Sequence, residues 1–441
     1  MADQQFLNGI NRKYFDGHLS EGQVFHLSKL DSNNSEGTLF AENVFARMKR
    51  IGISAQDTAE LVIWEVATII PKILPGAWGG IVPPITFQNR HVLVEEYMKL
   101  NHWHPLTTGS RILDMGCGFP PLTAVDLAKR FPEATIIGAD PSFGKYTVTD
   151  SEGNYACILE DGSLKYMQPA NISTSQWNDV FDDLPATVKR FSDMFSDLVK
   201  NLPEQESADS FEEYSANGNT IVRNPLRKYA GSNLSFIQQG IGDENFPPDF
   251  DMIRCMNVLI YFDPAFRTNA LKWAGRHLKE GGLFICGLNY AQSINCRFSV
   301  YQKQDGVMKF REFTFSIENV RPMQVVSYFS FRDDDFEQDQ LLKHVAFIRS
   351  NREFMKGFNT VFDRLLKEYK ICERKADGYL GFIDTEMPPG QVQLNMHQLG
   401  RDLSKEYAAG VVAVLKNMGL EAWVNEIGFI SVGNLEQDVL F

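Results

Sequence analysis

The run Asp114-Met-Gly116-Cys117-Gly118-Phe-Pro120-Pro121 follows a short apolar stretch (111–115) and precedes a helical pattern (121–130). Two glycines one residue apart let a backbone turn sharply and leave no Cβ between the main chain and a ligand. A proline just after them suits the first turn of a helix, where the missing N–H costs little. A second apolar stretch, 134–139, ends at Asp140. An acid at the end of the next strand, roughly 20 residues on, accepts hydrogen bonds from the two hydroxyls of a nucleoside ribose. The chemistry is that of a nucleoside site. A dinucleotide fingerprint would want a third glycine at position 121, for close helix–strand packing; proline stands there.

The surrounding pattern must hold those residues in place. From residue 111 onward, strand-like runs (111–115, 134–139, 233–238, 251–259, 283–288) alternate with helical ones (121–130, 265–278). That alternation predicts a mostly parallel sheet with helices on both faces. About 90 residues, 143–232, interrupt it. They open with a hairpin, Tyr-Ala-Cys-Ile-Leu and Ser-Leu-Lys-Tyr-Met around Glu160-Asp161-Gly162, and continue as a polar, acidic helical stretch to Asn219. Upstream, residues to about 105 read as helical. Ser54 is placed as N-cap of a helix through Ile70, ended by Pro71 and Pro75-Gly76, with a loop at Gly79-Gly80 and Pro83-Pro84. Past residue 320 come helix-like segments at 337–371 and 396–418.

Composition narrows the function classes. With 441 residues, 44% hydrophobic and 22% charged, the chain has an ordinary globular make-up and length for two or three packed units. A formal net charge of −13 without a basic run disfavours nucleic acid or an anionic membrane as partner. The six cysteines show no CxxC pair and no zinc spacing, so they read as reduced core thiols of a cytoplasmic protein without a resident metal. The amino terminus has no apolar signal region. The most apolar stretch, 61–74, is broken by Glu65, Pro71 and Lys72 and is too short to span a bilayer.

The motif Ile112-Leu-Asp-Met-Gly-Cys-Gly118 is similar to the first motif of class I S-adenosylmethionine-dependent methyltransferases, which resemble the Rossmann fold and bind no pyrophosphate. Phe250-Asp-Met-Ile-Arg-Cys-Met-Asn257-Val-Leu-Ile-Tyr261-Phe-Asp263, and Leu278-Lys-Glu-Gly281-Gly282 beyond a helix, look like the fourth and fifth strand region of these enzymes. The Asn257–Pro264 run is particularly similar to the chemotaxis receptor glutamate methyltransferases. The insert after the second strand and the hairpin 298–315 around Asp305-Gly306 agree with that family. The resemblance covers about residues 108–318. It implies S-adenosylmethionine as cofactor, with Asp114, Gly116, Cys117 and Gly118 around its methionine end, Asp140 on the ribose and Asn257 facing the sulfonium. Tyr261 would line the same pocket. Methyl transfer is an in-line displacement that asks the protein for positioning and, with an alcohol or amine acceptor, a proton acceptor; His102, His104 and Tyr290 are the candidates.

The expected architecture is a helical N-terminal segment (1–105), a Rossmann-like α/β methyltransferase core (106–318, insert 143–232) and an α+β C-terminal extension (319–441). Helical segments and inserts usually close over the carboxyl edge of such a sheet. The leading expectation is therefore methylation of a small molecule in an enclosed pocket, with a homodimer as one assembly it allows. A protein carboxyl methyltransferase and a non-catalytic partner module are the alternatives.

Overall fold

A computed structural model describes residues 4–74, 86–170, 183–203, 210–243, 245–382 and 387–433. The main sheet starts with β1 (Arg111–Met115) and β2 (Thr135–Ala139). The insert adds β3 (Tyr146–Thr149), β4 (Tyr155–Ile158), β5 (Leu164–Gln168), β6 (Glu212–Ala216) and β7 (Asn219–Arg223). β8 (Leu234–Ile237), β9 (Phe250–Met256) and β10 (Leu278–Leu288) return to the main sheet, followed by β11 (Arg297–Gln304) and β12 (Val307–Phe315). A small hairpin, β13 (Cys372–Arg374) with β14 (Leu380–Phe382), precedes β15 (Ala422–Val424) and β16 (Ile430–Val432).

The main sheet runs in the order β8-β2-β1-β9-β10-β11-β12-β16-β15. The first five of these strands are parallel and the remaining pairings antiparallel. Alternation along each strand sorts side chains between the two faces. Ile112, Ile136, Met252 and Ile285 pack under the helices Val92–Leu100 and Leu122–Arg130, while Leu113, Ile137, Ile253 and Phe284 face the helix Pro264–His277. Every residue of β9 is buried, as a central strand covered on both faces requires. Strand order reverses at β1, with β2 and β8 to one side and β9 and β10 to the other. In open α/β sheets that switch point, at the carboxyl ends, is where a ligand crevice forms.

Three local expectations change. The segment headed by Ser54 is not one helix. Ser54 caps a 3-10 turn, Ala55–Asp57, and the helix Glu60–Trp64 passes into a π-helical turn, Glu65–Ile69, before Ile70–Ile73. Pro71 has no N–H to give and its ring crowds the preceding turn, so regular α-helical bonding cannot run through to it. The acidic stretch of the insert is helical only at Leu184–Leu198 and the 3-10 turn Val199–Asn201 within the described residues. Glu212–Arg223 is a hairpin turning on Asn217-Gly218, both with positive φ, an Asn-Gly signal the helical reading passed over. It completes a five-stranded antiparallel sheet, β5-β4-β3-β7-β6. Finally, the helix after the glycines starts at Leu122, and Pro121 sits at its N-cap position. The loop at 79–84 and the stop at 75–76 lie outside the described residues.

The ends of the chain pack on each other. The helices Gln4–Phe15 and Ser35–Arg50 share one apolar cluster with Phe336–Ser350, Arg352–Glu368 and the Phe313 and Phe315 side chains of β12. The C-terminal region also extends the main sheet through β16 and β15. All six cysteines are buried and unpaired. Among the described residues no helix is long and apolar enough to cross a membrane.

Candidate active site at the carboxyl ends of the strands

β1 ends in a turn whose φ angles, +76° at Gly116 and +66° at Gly118, suit glycine. The Gly116 N–H donates to the Ala139 carbonyl at 2.7 Å, tying the turn to the end of β2. The Asp140 carboxylate takes the Gly118 N–H on Oδ2 at 2.8 Å and the Ser142 N–H on Oδ1 at 2.7 Å. Burial raises the Asp140 carboxyl above its ordinary range, and those bonds with Ser142 and Gly118 counter the rise. Each oxygen keeps a lone pair, so this buried carboxylate has acceptor capacity to spare for the two hydroxyls of a ribose. On that test the residues fit a nucleoside cofactor. The Cys117 side chain points into the apolar core, and its thiol is held well above the ordinary range by burial, so only its backbone faces the turn.

Asp114 is engaged inside the protein. Its two oxygens accept a fork from Arg254 Nε (2.9 Å) and Nη2 (2.8 Å), and Thr123 Oγ1 donates to Oδ2 at 2.9 Å. Arg254, fully buried in the middle of β9, gives its third nitrogen to Glu95 at 2.9 Å. Burial opposes the guanidinium charge, but Asp114 and Glu95 more than offset it and hold Arg254 above its ordinary value. Asp114 thereby locks β1 to β9 under the glycine turn.

Beyond β9 the chain adopts φ +62° at Asn257, a left-handed conformation that asparagine tolerates. Its amide braces the neighbouring strand end: Oδ1 accepts the Asn289 N–H and Nδ2 donates to the Asn289 carbonyl, both at 2.9 Å. The Asn289 side chain in turn donates Nδ2 to the Arg90 and Tyr290 carbonyls, so its Oδ1 is the acceptor facing His91 Nδ1 at 2.7 Å. His91 must therefore carry its proton on Nδ1. Burial keeps this imidazole well below its ordinary value and neutral.

Around this brace stand three side chains. Tyr261 packs against Phe331 with ring centroids 4.7 Å apart and planes tilted by 33°, and its hydroxyl is pushed up to about 12 by burial, against the pull of Arg90. Tyr290, also raised by burial, accepts Gln393 Nε2 at 3.2 Å and feels the charges of Glu65 and Arg90. Arg90 is lowered to about 10 by burial, with Tyr261 and Tyr290 opposing that. The structure thus brings Asn257, Tyr261 and Tyr290 together. Sequence reasoning missed Arg90, His91 and Glu65, which come from other segments, and Asn289, the immediate neighbour of Tyr290. Arg254 had a visible signal, a charge inside an otherwise apolar strand.

The two histidines lie elsewhere. His104 Nε2 is 3.5 Å from Asp251 at the start of β9, and a Cβ on Gly281, early in β10, would sit 3.5 Å from its ring. Asp251 and Asn257 are six residue steps apart along β9 and its end, about 20 Å at the usual rise. His102 pairs with Glu426 at 2.8 Å. Both precede β1, and the chain enters a parallel strand at its amino end, opposite the crevice. As proton acceptors they are corrected out of the site.

Residues 194–307 match the family described as CheR methyltransferase, SAM binding domain. That stretch contains Asn257, Tyr261, Asn289 and Tyr290, while the glycine turn and Asp140 lie before it. The chain is 30% identical over 131 residues to a chemotaxis protein methyltransferase of Listeria monocytogenes, covering 29% of this chain and 48% of that protein. It therefore spans about half the length of that curated relative. Among solved structures, PKMT2 from Rickettsia typhi in complex with AdoHcy is 16% identical, covering 47% of this chain and 26% of the other, with a TM-score of 0.22. Magnesium protoporphyrin IX methyltransferase from Synechocystis with bound SAM is 12% identical, covering 57% and 75%, with a TM-score of 0.21. The core of this chain is similar to the SAM-binding domain of CheR-type methyltransferases, and its sheet is Rossmann-like.

Proposed function

We propose that this chain is an S-adenosylmethionine-dependent methyltransferase whose acceptor is a small molecule held in an enclosed pocket above the ends of β9 and β10. The observation that carries the cofactor reading is the glycine turn bonded to a buried Asp140 at the switch point of the sheet. When bound, the cofactor supplies an electrophilic methyl group on a sulfonium. The backbone at 116–118 would hold its methionine end and Asp140 its ribose. The Asn257–Asn289 brace would fix the floor on which the acceptor meets the methyl group. Support for enclosure comes from the segments over this edge: Glu65 and Arg90 from the N-terminal region, Gln393 from the C-terminal one.

The similarity to a chemotaxis protein methyltransferase favours a second reading, methylation of a protein carboxylate. The chemistry of the product separates the two.

Calorimetric titration with S-adenosylmethionine and S-adenosylhomocysteine tests the cofactor reading. Micromolar binding is expected, and Asp140→Ala should weaken it by about 1–3 kcal/mol, the scale of hydrogen bonds to a charged group. A folded wild-type protein that binds neither ligand would overturn the reading.

A further inference from the structure

Glu65 opens the π-helical turn Glu65–Ile69, a geometry that re-aims side chains and recurs at functional sites. Its Oε2 accepts the Val325 N–H at 3.0 Å, and among the described residues no other hydrogen bond reaches the carboxyl group. The anchor is itself braced. Arg297 donates to the Val326 and Phe329 carbonyls at 3.2 and 2.7 Å, and Arg47 to those of Tyr328 and Ser330 at 2.8 and 2.9 Å. One oxygen is thus fixed and the other takes no hydrogen bond among the described residues; the side chain is half-buried, and its charge helps raise Tyr290. Tyr290 follows Asn289 at the end of β10. The Glu65 carboxyl group is therefore near enough for its charge to act on Tyr290, at the end of β10 that borders the crevice described above.

We infer that Glu65 is the proton acceptor of methyl transfer and that the acceptor group is an uncharged hydroxyl or amine; the inference rests on the methyltransferase reading. A lone pair of the acceptor oxygen or nitrogen forms the new bond to the methyl carbon. The sulfur–methyl bond breaks with its electron pair left on sulfur, and the proton of the acceptor passes to the open oxygen of Glu65 and then to solvent. A carboxylate acceptor has no proton to lose and would bring a second negative charge against Glu65, which like-charge repulsion disfavours. Burial moves Glu65 from its ordinary 4.5 up to about 7, with only the Val325 bond opposing, which suits a base working near neutrality.

Few other groups titrate here near neutrality. Arg90 and Tyr261 change charge only at about 10 and 12, Tyr290 lies above its ordinary value, and His91 stays neutral. Of the helices packed on the turn, Glu21–Leu27 brings His26, coupled to Lys29 and Glu60. Ser35–Arg50 brings Glu42 and Arg47, engaged with Lys13 and Asp333, and the flanking helical turns Glu60–Trp64 and Ile70–Ile73 bring Glu60 and Lys72.

The test is proton release on cofactor binding, read by calorimetry at pH 7 in buffers of different ionisation enthalpy, for wild type and Glu65→Gln. A sulfonium beside Glu65 favours the carboxylate. Wild type should release roughly half a proton more with S-adenosylmethionine than with the uncharged-sulfur homocysteine product, as a group near half-titration does when its pKa falls. Glu65→Gln, which keeps an acceptor for Val325, should abolish that difference. Binding by both proteins with the same proton release would overturn the role of Glu65 and leave the cofactor reading standing. No binding by either folded protein would overturn both. With methyl-labelled cofactor and cell extract, the product should resist alkali as an ether or amine does. Label released as methanol would mark an ester and overturn the acceptor class.

Discussion

Replacing Arg254 by methionine is expected to lower the free energy of unfolding by about 3–5 kcal/mol, the usual loss when one partner of a buried ion pair is removed. The guanidinium is fully buried and bonds Asp114 twice, Glu95 once and the Thr123 carbonyl at 3.0 Å. Methionine fills similar volume but leaves Asp114, buried at 3% exposure, with Thr123 as its remaining side-chain donor. The cost is mainly that of the stranded carboxylate. Arg254→Met combined with Asp114→Leu should therefore be less destabilised than Arg254→Met alone. Urea unfolding of the two variants measures both quantities. A single variant as stable as wild type would mean that the network carries no such charge cost.

The second large effect concerns Gly287. A Cβ there would lie 2.1 Å from the Arg297 carbonyl oxygen and 2.5 Å from Phe298 Cα. Both are backbone atoms of β11, paired with β10 in the middle of the sheet, and cannot swing aside as a side chain would. Gly287→Ala should cost about 3 kcal/mol, the upper part of the range for overpacking, because the strands themselves must separate. The damage reaches the site, since the Gly287 carbonyl accepts the Asn257 N–H at 2.7 Å and so helps hold the turn after β9. Cofactor affinity should fall along with the melting temperature. Gly231→Ala is the control: a Cβ there meets nothing within 4 Å, and its melting temperature should be near that of wild type. Equal melting temperatures for the two variants would sink the argument from close approach.

Much of the core could be read from the sequence because its constraints are local. Buried parallel strands are short apolar runs bounded by turn residues, and a GxG turn declares a need for positive φ and close approach wherever it stands. Asp140 needed only its place at the end of the next strand. The same directional logic, applied fully, would have removed His102 and His104, since residues just before a parallel strand lie at its amino end. Asn217-Gly218 was likewise legible as a hairpin turn within the insert.

The other residues around the candidate site could not be found that way. Whether Asp114 faces a ligand or an arginine depends on Arg254 of β9, 140 positions later. Glu65 reads as an interruption in an apolar stretch until Val325, 260 positions on, gives it an N–H, and His91 and Asn289 meet across 198 positions. The short strands β15 and β16 carry too little pattern to announce that they extend a sheet begun three hundred residues earlier. Sequence alone determined the elements that satisfy their own backbone and bury their own periodic face, together with the turn that joins them. Tertiary structure alone decided which polar groups meet, because a buried charge or amide must find its partner wherever packing brings one within hydrogen-bond reach, at a separation that local periodicity does not record.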